Sequence, residues 1–310
     1  MQPGLIPLTH FWHPRHWLTW LGLGMLRLLV MLPQRARMAT GRWLGRRACA
    51  LLDSRRKIVA TNIGLCFPEL DAAEQAQRVR EHFESLGMGV IELGMAWWCS
   101  AAELAALTQI DGFEHVQAGL ARERGVLVHS GHFAAIEVSG VVIAPLVPPM
   151  AAMYRPSKNT LNDQIMRRCR GRSVPQLIAK TGIKQLLRVL RQNRMVWYAA
   201  DQAYNRKGTV VVPFFGEPAT TNTSVSQIAR VSKAAIVPFH SMRLPDASGY
   251  RIRFWPALED FPSGDEAADA ERLNQLLEEQ IRLAPAQYYW VHRRFKGRPA
   301  PYPDPYKQPG

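Results

Sequence analysis

The chain has 310 residues and carries 39 Lys and Arg against 25 Asp and Glu, a formal net charge of +14. Such an excess favours polyanions such as nucleic acid, anionic lipid or an acidic carrier protein. No helix-turn-helix, zinc-finger or ribonucleoprotein motif accompanies it, so nucleic acid is not the expected partner. The four cysteines, Cys49, Cys66, Cys99 and Cys169, form no CxxC pair and no HExxH is present. Free thiols in a reducing compartment are expected, with no metal.

In chain order, His16 to Leu32 is almost wholly apolar, with Arg27 its one formal charge. As a helix it rises roughly 25 Å, at the short end for spanning a bilayer. Trp12, Trp17 and Trp20 suit an interfacial aromatic belt. A spanning helix, one lying in the interface and a buried core helix all stay open. No small-x-small cleavage site follows, which argues against a cleaved signal peptide. Arg35, Arg37, Arg42, Arg46, Arg47, Arg55, Arg56 and Lys57 crowd the next segment. By the positive-inside rule they place the remainder in the cytoplasm. The expected organisation is a membrane anchor over 1–33 and one catalytic domain over 34–310.

Residues 34 to 60 read as a basic amphipathic helix. Asp71 with Glu74 forms a capping-box pattern opening another, which runs through Met88, Ile91, Leu93 and Trp97. Gly125 to Ser130 reads as a buried strand and Ala134 to Ile143 as a helix stopped before Pro145. Met150 to Tyr154 is a second strand, followed by helices over Leu161 to Arg170 and Ile183 to Gln192. Met195 to Ala200 is a third strand, ending at Asp201. Strands are also expected over Thr209 to Phe215, Ala235 to His240 and, as an antiparallel edge, Tyr250 to Trp255. Leu273 to Leu283 is helical. The alternation implies an α/β fold, a mixed central sheet flanked by helices.

Three strands end in reactive residues: His132, Arg155 in Tyr154-Arg155-Pro156, and Asp201. Ligands of open α/β sheets bind outside the strand carboxyl ends, so the three suggest one site. Glu137 lies five residues beyond His132. On one continuous helix the pair would sit roughly 140° apart. If His132 lies in the loop and Glu137 in the first helical turns, the carboxylate can hold one ring nitrogen and leave the other free as base. His129 and Ser130 compete as candidates. Ser130 lacks a GxSxG context, which disfavours a serine hydrolase.

The His-x4-Glu pair resembles the signature of membrane glycerolipid and lipid A acyltransferases, most closely the lipid A lauroyl acyltransferase family. Supporting motifs run along the chain: His13-Pro14-Arg15-His16-Trp17, Leu65-Cys66-Phe67-Pro68-Glu69, Glu92-Leu93-Gly94-Met95-Ala96-Trp97, Tyr154-Arg155-Pro156, Val196-Trp197-Tyr198-Ala199, and Ala284-Pro285-Ala286-Gln287-Tyr288-Tyr289-Trp290-Val291-His292-Arg293-Arg294-Phe295-Lys296. Ala203 departs from the pattern, since the family often has an acid there. The glycerol-phosphate enzymes usually carry Phe-Pro-Glu-Gly-Thr-Arg after the histidine; here Phe67-Pro68-Glu69-Leu70 precedes it.

The resemblance implies a glycerolipid-acyltransferase-like fold with an N-terminal membrane helix at the cytoplasmic face of an inner membrane. It implies transfer of an acyl chain, lauroyl by analogy, from acyl-acyl carrier protein to the 3-hydroxyl of a primary acyl chain on Kdo-lipid IVA, without cofactor. His132 would be the base and Glu137 its orienting acid. Tyr154, Arg155, Asp201, Arg293 and Arg294 would contact substrate or carrier; a salt bridge to Asp201 is the other reading of Arg155. A lysophospholipid acyltransferase and a non-catalytic basic membrane-binding protein stay open as alternatives.

Overall fold

The computed structural model describes residues 4–203 and 208–307. Its first helix, α1 (Trp17–Val30), is shorter than the apolar run. Pro33 stands just beyond it and disfavours helical geometry at the residue before it. Fourteen residues rise only about 21 Å, short of a hydrocarbon core of about 30 Å. Among the described residues no helix is long and apolar enough to cross a membrane. The spanning alternative is thereby corrected. α1 instead lies against the rest of the chain through Leu26 and Val30.

The expected basic helix over 34 to 60 is two helices, α2 (Gln34–Leu51) and α3 (Asp53–Cys66), broken at Leu52. The long α4 (Ala72–Trp98) follows, opened by the Asp71/Glu74 capping box. Asp71 Oδ1 accepts from the Ala73 and Glu74 amides at 2.8 Å each, and Glu74 Oε2 accepts from the Asp71 amide at 2.9 Å. α2 and α4 approach so closely that a Cβ at Gly45 would collide with the Phe83 carbonyl, and one at Gly87 with the Gly41 carbonyl.

Next come α5 (Ala101–Ala106), β1 (Thr108–Asp111), α6 (Phe113–Leu120), β2 (Val126–Ser130), α7 (Ile136–Ile143) and β3 (Ala151–Tyr154). They are followed by α8 (Thr160–Arg170), β4 (Gln176–Ala179), α9 (Ile183–Arg191) and β5 (Met195–Ala199). The chain continues through β6 (Thr209–Phe214), β7 (Glu217–Asn222), α10 (Ser224–Ser232), β8 (Ala235–Arg243), β9 (Tyr250–Phe254) and α11 (Glu266–Leu283).

Seven strands form one sheet in the order β1-β9-β8-β2-β5-β3-β4, while β6 and β7 pair as a separate hairpin. β2 is parallel to both neighbours, β5 and β8. All five of its residues are buried, which explains its continuous apolar pattern. Gly125 enters β2 with φ +74°, and a Cβ there would sit 2.5 Å from the Leu190 carbonyl. β9 pairs antiparallel with β8 as expected, but it is not the edge, because β1 pairs with it in parallel.

One face of the sheet (Val126, Val128, Met195, Phe239, Phe254) packs under α4 and α7. The other (Leu127, Val196, Ile178, Ile236) packs under α9 and α10. A third apolar cluster joins α3, α4 and α11 to the C-terminal segment around Tyr288, Trp290 and Phe295.

Candidate active site

His132 lies two residues beyond β2 and four before α7, in the loop, as its spacing to Glu137 required. The C-terminal segment holds this loop. Tyr289 donates its amide to the His132 carbonyl at 3.0 Å, and Ala134 donates to the Gln287 carbonyl at 3.0 Å. Phe133 is buried between these contacts, with its ring 4.3 Å from His240 and 5.6 Å from Tyr288. The C-terminal run therefore fixes where β2 delivers its histidine.

Asp201 lies two residues beyond β5, next to β2 in the sheet, and is buried. Its Oδ1 is 2.6 Å from His132 Nδ1, and its Oδ2 accepts from the His132 backbone amide at 2.9 Å. Tyr288 also hydrogen-bonds this carboxylate. Burial alone would raise the Asp201 pKa, but the charge and hydrogen bonds of His132 hold it far below the usual carboxylate range. Burial pulls the His132 pKa down, and Asp201 outweighs it, so the imidazole sits above its ordinary value.

An ionised carboxylate can only accept, so Nδ1 carries the proton and Nε2 keeps its lone pair. That is the state a general base needs. Two other histidines are close enough to feel Asp201. Burial takes both His129 and His292 down to about 4, so neither adds a charge at neutral pH.

The expected His132–Glu137 contact is replaced by another. Glu137, in the first turn of α7, is engaged by Arg170 at the end of α8. Arg170 Nε donates to Glu137 Oε2 at 3.0 Å, and its Nη2 to Oε1. The acid that holds His132 is Asp201, which corrects its expected role as a substrate contact. Glu137 acts on the imidazole only through its charge, as does Arg170 with opposite sign. Arg170 was missed because nothing in its spacing distinguishes it from Arg167 and Arg168.

These groups open onto an apolar cavity of about 310 Å³ between the sheet and α4, α7 and α8. His132, Glu137, Arg170, Tyr154 and Arg155 line its polar end. Tyr154 is half-buried, with its phenol pKa raised by burial, and Arg155 is exposed. No ion pair joins Arg155 to Asp201 among the described residues.

The C-terminal arginines separate. Arg293 is exposed, with its guanidinium 5.7 Å from the Tyr306 ring centre. Arg294 is only 2% exposed. It donates to the Thr220 carbonyl at 3.0 Å, Thr221 Oγ1 at 3.1 Å and Asn274 Oδ1 at 3.2 Å. It pins the hairpin to α11 and reaches no partner surface, which corrects its expected role. Among the described residues no group of three or more His, Cys, Asp or Glu could hold a metal.

The model of the bacterial lipid A biosynthesis acyltransferase family matches residues 7–297. The chain belongs to that family. It is 38% identical to the lipid A biosynthesis lauroyltransferase of Escherichia coli (strain K12), over 96% of this chain and 97% of that protein. It is also 38% identical to the palmitoleoyltransferase of the same strain, over 93% of this chain and 94% of that protein. Among solved structures it is similar to the 1-acyl-sn-glycerophosphate acyltransferase of Thermotoga maritima, with a TM-score of 0.38 and 12% identity, covering 82% of this chain and 100% of that one. The lipid A acyltransferase family is one of transferases.

Proposed function

We propose that this acyltransferase moves a fatty acyl group from an acyl-acyl carrier protein thioester to the 3-hydroxyl of a primary acyl chain on Kdo-lipid IVA. The observation that carries the reading is an imidazole whose Nδ1 is held by an ionised acid, at the polar end of a mainly apolar cavity. His132 Nε2 removes the hydroxyl proton, and Asp201 holds the imidazolium that forms. The alkoxide oxygen attacks the thioester carbon. The tetrahedral intermediate collapses with cleavage of the carbon–sulfur bond, and the departing thiolate takes the proton from His132. Arg170 and Arg155 offer positive charge to the developing oxyanion or to an acceptor phosphate. No acyl-enzyme is needed.

Attachment to the cytoplasmic face of an inner membrane is part of the proposal, with 1–33 as the anchoring segment. Leu18, Leu21, Met25 and Leu28 form an exposed stripe on α1, followed by the basic residues of α2 and α3. Apolar stripe and basic surface together suit a helix lying in the plane of an anionic interface.

The test is incubation with Kdo-lipid IVA and a panel of acyl carrier thioesters, with products read by mass spectrometry. Gain of one acyl chain on the glycolipid supports the reading. Transfer to lysophospholipid alone would replace the acceptor, and no transfer to either would end the proposal.

A further inference from the structure

Relatives named for lauroyl and for palmitoleoyl transfer are equally identical to this chain. Similarity therefore does not choose an acyl length, whereas the cavity does. We infer that Met195 and Met150 close its far end and restrict the donor chain to about twelve carbons. The inference rests on the acyl-transfer reading above, and names which chain that site accepts.

The cavity runs along the strands, and the register gives its direction. His132 lies beyond the carboxyl end of β2. Trp197, opposite Val128, and Ala152, opposite Trp197, line its middle. Met195 is the first residue of β5 and stands opposite Val126, the first residue of β2. Met150 immediately precedes β3. Both methionines line the cavity, and they are 2% and 4% exposed, so this end is shut to solvent. Ile143 and Val174, also buried, complete the cap.

From the level of Met195 to that of His132 is six residues of β2 and its extension, roughly 15–20 Å at about 3.3 Å per residue. The volume of 310 Å³ gives room for on the order of ten groups the size of a water molecule, at about 30 Å³ each. A methylene is of that size, so a medium chain fills the space with its carbonyl beside His132. Beyond the polar end the wall is mostly apolar, with Val128, Ile136, Val141, Leu177, Phe239 and Phe254 lining it beside Ser139 and Ser173. Methionine is unbranched and pliant, and its truncation to Ala removes Cγ, Sδ and Cε from the cap.

The experiment measures kcat/KM for 12-carbon and 16-carbon saturated carrier thioesters on one acceptor. Wild type should favour the 12-carbon chain. Met195→Ala and Met150→Ala should shift the ratio toward the 16-carbon chain by about 10-fold or more, since each added or missing methylene in an apolar pocket is worth about 10- to 200-fold. Met195→Leu conserves volume and should keep the wild-type ratio. Ala152→Leu fills the middle of the cavity and should shift the ratio to chains shorter than 12 carbons. A packing defect alone would slow both chains equally. An unchanged ratio in folded Met195→Ala and Met150→Ala overturns the inference while leaving acyl transfer intact, as does a wild type that prefers the 16-carbon chain. Failure of wild type to transfer any chain removes the acyl-transfer reading and the inference with it.

Discussion

The Asp201 carboxylate takes two hydrogen bonds from His132, one from ring Nδ1 at 2.6 Å and one from the backbone amide at 2.9 Å. The first sets the tautomer. The second ties the position of the acid to the loop that carries the base. A residue that fixes both the ring and its backbone leaves Nε2 little freedom to wander, and pre-set geometry of this kind is where much of a base's efficiency originates.

His132→Ala should lower acyl transfer by about 10²–10⁴-fold, the range of a general base. Circular dichroism and melting should show a folded protein, because the side chain is partly exposed and its loop is held by backbone contacts to Gln287 and Tyr289. A folded variant with near wild-type turnover would remove His132 from the mechanism.

Asp201→Asn should lower activity and move its pH dependence. The His132 pKa is raised above 6.5 in wild type, so kcat/KM should rise through a limb above that value. Without the carboxylate, burial dominates and the limb should fall below 6.5. Stability follows the same groups. The raised His132 pKa contributes stability fully below 6.5, lost as pH climbs through the folded value. The lowered Asp201 pKa contributes stability above 3.8, lost as pH falls through its folded value. The melting-temperature gap between wild type and His132→Ala should therefore be widest between 3.8 and 6.5.

Much of this site was legible in the chain, and the misreading is instructive. Gly125 to Ser130, Met150 to Tyr154 and Met195 to Ala200 are buried parallel strands, so their continuous apolar pattern marks them and the reactive residue just beyond each. β1 is not legible because Ile110 is its one apolar residue, and β4 is a four-residue strand with nothing reactive beyond it to draw attention. β7 (Glu217–Asn222) has no alternation to follow. Which acid holds His132 was not legible. Glu137 is near in sequence, but Asp201 is near in space because β2 and β5 are neighbours, and sheet order is not written in any single strand. Arg294 misled for a similar reason: a charge in a basic run reads as exposed, whereas its partners come from β7 and α11.

Glu137 and Arg170 should behave as a unit. Glu137→Gln and Arg170→Gln should each reduce kcat/KM, and the double variant should lose no more than the worse single one. Non-additivity is expected for side chains that act through one another. Losses that multiply would show that Glu137 contributes independently of its ion pair, reviving a direct role toward His132.

The buried pair Glu92–Arg243 ties α4 to β8, with Nε–Oε1 at 2.5 Å and Nη2–Oε2 at 2.7 Å. Both side chains are almost fully buried, at 0% and 3% exposure. Glu92→Ala leaves the guanidinium unpaired in the interior and should cost about 3–5 kcal/mol. Urea unfolding of wild type and variant measures this. A loss below about 1 kcal/mol would mean that the pair behaves as a surface one.

The last prediction concerns how α1 meets lipid. Leu18, Leu21 and Leu28 are 81%, 61% and 66% exposed, and Met25 lies among them at 57%. Leu26 and Val30 face inward toward Gly94. Leu21→Glu with Leu28→Glu changes only the outer face, so folding and turnover on a detergent-dispersed acceptor should be retained. Burial of apolar side chains at an interface is worth roughly 1.5–3 kcal/mol each, so binding to anionic vesicles should fall by at least about 10-fold. The residual binding should rest on Arg42, Arg46, Arg47 and their neighbours, and weaken as salt rises, since attraction at a surface is screened within about 10 Å at 0.1 M. Cosedimentation of both proteins across a salt series separates the two contributions. Equal vesicle binding by wild type and the double variant would mean that α1 does not enter the interface, and that the basic surface alone holds the protein there.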